Sequence, residues 1–136
     1  MKDYPSKVIL LWSDAVLKGG ESREWLMQND YQELGLFCFA LRNDQRAREW
    51  LMSNGHPHLM AMIAGAEGDK NAILWLIKHG YEMLAKTARA ADNDDDAMMW
   101  LVRENLPDVL ALARAMRIVK NNIESDNNDV HRITLY

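Results

Sequence analysis

The chain has 136 residues, 49% of them apolar, and a formal charge of −4, which is one domain's length and enough to bury a core without disulfides or metal. This acidic balance argues against nucleic acid, whose binders gather a basic excess on one face, and no run approaches the ~20 apolar residues of a membrane helix. The single cysteine, Cys38, excludes an intramolecular disulfide and fits a reducing compartment.

Residues 5–18 read as a helix closed by Gly19-Gly20. Its apolar run, Val8 to Trp12, is too short for a secretory core, so the expectation is a cytoplasmic protein. From there the chain repeats. Trp-Leu occurs at Trp25-Leu26, Trp50-Leu51, Trp75-Leu76 and Trp100-Leu101. That constant period marks units 22–46, 47–71, 72–96 and 97–121, and repeats at such a period mean a solenoid or array. Shifted by one period, Ile9, Trp12 and Ala15 fall on Leu34, Phe37 and Ala40. Segment 5–21 is therefore the second half of a unit, used as a capping helix.

Each unit predicts two helices. The first carries a small residue, Trp and Leu at i, i+3 and i+4, one stripe of a helix. The small residues are Ser22, Ala47, Ala72 and Ala97. It stops at Asn29-Asp30, Asn54-Gly55, His79-Gly80 or Asn105, residues that end helices. The second helix carries apolar residues at the same spacings, such as Tyr31, Leu34, Gly35 and Cys38, with Pro57 and Pro107 near the starts of two of them, where a missing N–H is tolerated. Asn43-Asp44, Gly68-Asp69 and Asn93-Asp94 then link units and cap the next helix. The fourth unit breaks this column with Ile118-Val119. Residues 122–136, rich in Asn and Asp, read as a polar tail. No segment alternates at period two, so no strands are expected.

The fold class is thus all-α: an α-α superhelix, or solenoid, of four helical hairpins with an N-terminal capping helix and a C-terminal tail. Short helix pairs bury their stripes only by stacking. With layers about 10 Å apart, an open row of this size has a concave face. The four repeated Trp rings are expected to be buried between helices.

The stretch from Gly68 to Gly80, preceded by Ala64, Gly65 and Ala66, resembles the helical part of an ankyrin repeat, and Ala90-Ala91 followed by Asn93 to Asn105 repeats the pattern. The departure is large: an ankyrin repeat has about 33 residues, so its β-hairpin finger has no room here. The segment Asp92 to Pro107 is similar to leucine-rich-variant and HEAT-like α-repeats. Both resemblances imply a protein-binding scaffold, a protein-protein interaction module or adaptor. The alternatives are a small enzyme or ligand-binding protein using the concave groove, or a structural homo-oligomer.

No residue set suggests catalysis or a cofactor. His56 and His58 lack the further ligands a zinc site needs. Asp92 to Asp96 opens like a calcium loop, but Ala97 and Arg103 stand where the Gly and Glu are required. Cys38 shares its column with Ile63, Ala88 and Ala113 and reads as a small buried hydrophobe. For a protein partner, the polar residues of the second helices, Gln32, Glu33, His58, Glu82, Lys86, Arg89 and Arg114, are expected to line the concave face. A second candidate comes from a mismatch between units. Ile73, Leu74, Met98 and Met99 occupy the positions held earlier by Arg23, Glu24, Arg48 and Glu49. Contiguous exposed apolar patches mark interfaces, so these four are expected to be covered by the tail, through Val130, Ile133, Leu135 and Tyr136, or by a second copy in a homodimer.

Overall fold

A computed structural model describes residues 4–134, with side chains through Asp126. It holds α1 (Ser6–Lys18), α2 (Gly20–Gln28), α3 (Gln32–Leu41), α4 (Gln45–Ser53), α5 (Pro57–Ala66), α6 (Lys70–Lys78), α7 (Glu82–Ala91), α8 (Asp95–Arg103) and α9 (Pro107–Thr134), and no strand among the described residues. The repeat has the expected two helices per unit.

Every link in the repeat is built the same way. After the first helix of each unit one residue adopts the left-handed conformation: Asp30 (φ 69°), Gly55 (82°), Gly80 (85°) and Asn105 (54°). The next amide, of Tyr31, His56, Tyr81 or Leu106, donates to the carbonyl of Leu26, Leu51, Leu76 or Leu101 at 2.8–3.2 Å. This is a Schellman turn, which satisfies carbonyls that the helix end leaves free. The second helix ends identically. Asn43, Gly68 and Asn93 are left-handed, and the amides of Asp44, Asp69 and Asp94 donate to the carbonyls of Phe39, Ala64 and Arg89. Each Asp then serves twice, because its carboxylate accepts from the first turn of the next helix, at Ala47, Ala72 and Ala97.

At the fourth link the column holds Ile118 and Val119. Neither favours the left-handed region, neither caps a helix, and Val119 is buried. The helix therefore continues. The segment expected to be a polar tail is the C-terminal part of α9, which runs unbroken to Thr134.

The even helices α2, α4, α6 and α8 touch only their neighbours in sequence, whereas α9 packs against α1, α3, α5 and α7. The most extensive pairing is between α1 and α9. The superhelix therefore turns tightly enough for its ends to meet. Its inner row encloses one core containing Ile9, Trp12, Phe37, Met62, Ile63, Leu112 and Met116. The concave groove expected of an open row is filled by the chain itself.

Within each Trp-Leu pair it is Leu26, Leu51, Leu76 and Leu101 that are fully buried. The four Trp rings are not: Trp25 is 40% exposed and the others are half-buried. The expectation of buried rings fails because a helix turns about 100° per residue. With Leu pointing inward, the adjacent Trp is carried to the flank. There it meets the residue that closes the turn. Trp25 stacks on Tyr31 (centroids 6.1 Å apart), Trp50 on His56 (5.8 Å) and Trp75 on Tyr81 (6.2 Å). This is the apolar contact that accompanies a Schellman turn. The fully buried tryptophan is Trp12, outside the repeat column, edge-on to Phe37 at 5.0 Å.

Three stability outcomes follow from this arrangement. Leu76→Ala should cost about 2–5 kcal/mol in urea denaturation, the range for emptying a core Leu site. Trp75→Ala should cost less, about 1–2 kcal/mol, because only part of the ring leaves a buried surface. Gly80 has open space where a Cβ would project, so Gly80→Ala should show the backbone cost alone, about 1–2 kcal/mol.

Candidate functional site

The seven residues expected on a concave face stand in different local settings. Glu33 is partly buried and accepts a hydrogen bond from the Tyr4 hydroxyl at 3.2 Å. His58 stacks on Tyr81, centroids 4.9 Å apart. Lys86 holds its ammonium 4.9 Å from the centre of the Trp100 ring, a cation–π contact within a unit pair. Gln32, Glu82 and Arg114 are exposed. Arg89 lies elsewhere, on the wall of a pocket between the third helical pair and its neighbours.

The four apolar residues divide into two pairs. Ile73 and Met98 are buried, at 7% and 9% exposure, so they belong to the packing between units and not to an interface. Leu74 and Met99, one position on, are 62% and 51% exposed. One turn further along the same helices, Ile77 and Val102 are also exposed; residues three apart on a helix are surface neighbours. Leu74 and Ile77 thus form an apolar stripe on the outer side of α6, and Met99 and Val102 form its equivalent on α8. Met52 extends the second column onto α4. In α2 and α4 the first column holds Glu24 and Glu49, so the outer face changes from charged to apolar along the stack.

α9 makes no contact with α6, and where it packs against α8 it leaves Met99 and Val102 exposed. The side chains of Val130 and Ile133, and residues Leu135 and Tyr136, through which the tail was expected to act, lie outside what the structure describes. Sequence reasoning named Leu74 and Met99 but missed Ile77 and Val102. Their signal was present: they sit three residues beyond Leu74 and Met99 on an otherwise polar surface.

The other candidates have local explanations. His56 is the residue before α5 and stacks on Trp50. Asp94 caps α8, Asp95 pairs with Arg117 at 3.1 Å, and Asp92 pairs with the buried Lys120 at 3.1 Å. Among the described residues no three His, Cys, Asp or Glu side chains converge on a common point, and no helix is long and apolar enough to cross a membrane. Cys38 is buried, its thiol donating to the Leu34 carbonyl at 3.3 Å. Burial pushes this thiol up to about 12, against the opposing pull of the Arg23 and Arg42 charges.

The chain matches no protein-family model, no curated protein and no solved structure. What can be said of its function therefore comes from its own surface.

The Cys38 thiol gives a pH outcome. It ionises near 9 in an open environment and only near 12 when folded, so ionisation favours the unfolded chain. Its contribution to stability is complete below about pH 9 and should decline as pH rises toward 12. In Cys38→Ala that alkaline decline should be smaller in denaturant titrations. Native protein at pH 8 should resist thiol alkylation until it is unfolded.

Proposed function

We propose that this domain is a protein-interaction module that docks its partner on the outer face of α6 and α8. The observation that carries this reading is the exposure of Leu74 and Met99, more than half each, at positions where the preceding units place glutamates. Burying such a side chain is worth roughly 1.5–3 kcal/mol, and Met suits adaptable interfaces. The inner face is closed by α9, which leaves the outer helices as the surface on which the units differ. The resemblance to ankyrin repeats without their finger points the same way. A single cysteine, buried as a thiol, is consistent with a cytoplasmic scaffold.

A second reading, self-association through the same stripe, rests on the same exposed residues. Leu74→Glu with Met99→Glu separates the outcomes. Both sites are exposed, so the variant should unfold within about 0.5 kcal/mol of the wild type. Partner proteins that co-purify with the wild-type chain should be lost from it. They should be retained by Glu82→Lys with Lys86→Glu, away from the stripe. Light scattering on the purified chain distinguishes a dimer that the double glutamate variant disrupts. Unchanged partner capture and unchanged mass would remove this face as the interface.

A further inference from the structure

Arginine closes the ends of the inner helices at three of four places. In α1, the carbonyls of Val16 and Leu17 accept from the Arg42 guanidinium at 3.3 and 3.4 Å. At the end of α3, Arg48 donates from Nε to the Ala40 carbonyl at 2.9 Å and pairs with Glu67 at 3.4 Å. For α7, Arg117 donates from Nε to the Ala90 carbonyl at 2.8 Å and pairs with Asp95 at 3.1 Å. The physical reason is common to all three: a cation offsets the negative end of the helix dipole and gives a helix-end carbonyl a charged donor.

The end of α5 has no such arginine. The column that supplies Arg48 holds Ile73 here, and the column that supplies Arg42 and Arg117 holds Asp92. Gly65 stands where Ala40 and Ala90 offer their carbonyls. Ile73 fills only the space beside Gly65, its Cδ1 2.6 Å from where a Cβ would be. Beyond it lies a pocket of about 420 Å³, whose wall includes Gly65, Asp69, Asp92, Asp94 and Arg89. The three acids are already occupied as helix caps or by Lys120, yet each keeps an oxygen free, because a carboxylate accepts several hydrogen bonds. Leu74, the most exposed residue of the apolar stripe, is on the rim of the same pocket.

The geometry points to this pocket as a seat for a guanidinium group, supplied by an arginine side chain of the docked partner. The precedent is internal. At two of the three equivalent junctions, those of Arg48 and Arg117, the guanidinium takes a helix-end carbonyl and an acid together; here the Gly65 carbonyl, which accepts from the Gly68 amide at 3.1 Å, the acids and the space stand without an arginine. A lysine fits the pattern less well, since its ammonium cannot present a fork to two acceptors. Arg89 and Lys70 are the opposing features, two cations on the same wall with no ion pair among the described residues. The partner segment would carry its arginine next to apolar residues that lie on Leu74 and Met99. The source of the arginine rests on the proposed docking face; the seat itself does not.

The test uses the full chain and a probe whose only charge is the guanidinium, N-acetyl-arginine amide. In amide NMR spectra, Gly65, Gly68 and Asp69 should shift saturably, with a Kd on the order of a few mM for so small a ligand. N-acetyl-lysine amide should not saturate in the same range. Arg89→Gln removes one like charge and should tighten arginine binding by about two- to five-fold. Ile73→Arg installs the missing residue and should abolish the shifts; if that variant does not fold, the probe contrast and Arg89→Gln still decide. Absence of saturable shifts, equal response to the lysine probe, or weaker binding in Arg89→Gln would overturn the seat. An arginine-silent pocket with partner capture still sensitive to Leu74→Glu would remove the seat and leave the docking face. Arginine binding with capture indifferent to Leu74→Glu and Met99→Glu would do the reverse.

Discussion

The hydrogen bond from the amide after each left-handed residue to the carbonyl five positions earlier sets the register of the whole stack. It ends one helix and fixes the direction of the next at a single point, so that successive units repeat the same geometry. Asp44, Asp69 and Asp94 close one helix with their amides and open the next with their carboxylates. No residue is left over for a loop. That economy explains how two helices fit in a period of 25 residues, and why Asn, Asp and Gly recur where they do. These residues tolerate the left-handed region, and the others largely do not. It also explains the aromatic column. Trp25, Trp50 and Trp75 are fixed by the residue that closes the turn, as well as by the core.

Much of this was legible from residues three and four apart. The turn columns, the stripe ending in Leu26, Leu51, Leu76 and Leu101, and the cap role of the Asp column all follow from local chemistry. The Trp column was misread because Trp and Leu are adjacent, and a spacing argument assigns both to one stripe when only one of two neighbours can point fully inward. Ile118 and Val119 carried the information that α9 continues; an apolar pair where every other unit has a turn former is a helix interior. The pairing of α1 with α9 was not legible. It depends on the angle between successive units, accumulated around the stack, and no pair of residues in the sequence states that angle. The candidate site was readable in part for the same reason. Exposure of Leu74 and Met99 follows from the burial of Ile73 and Met98 beside them, and that depends on how far each outer helix is rotated.

The units share a frame and differ in what they place on it. At one junction Arg48 spans from the end of α3 to Glu67, and at another Arg117 spans from the end of α7 to Asp95. Between them, Ile73 and Asp92 occupy the corresponding columns, and the outer face turns apolar at the same place. The loss of the arginine and the appearance of Leu74 occur on consecutive residues, on the helix that borders the pocket. A repeat makes such differences easy to see, since each position has three others as its control.

Contact between the first and last helices changes how the domain can fold. A row of repeats that touch only their neighbours can form anywhere and fray from either end, with stability close to a sum over units. Here α1 gains its most extensive packing only when α9 is in place, and the two are separated by nearly the whole chain. Such a contact requires closing a long loop before it is rewarded, which slows folding relative to helical proteins built from local contacts. It also ties α1 and α9 into one cooperative unit. Since α1 and α9 are each other's most extensive contact, loss of either helix exposes the other, and the two ends of the stack melt together.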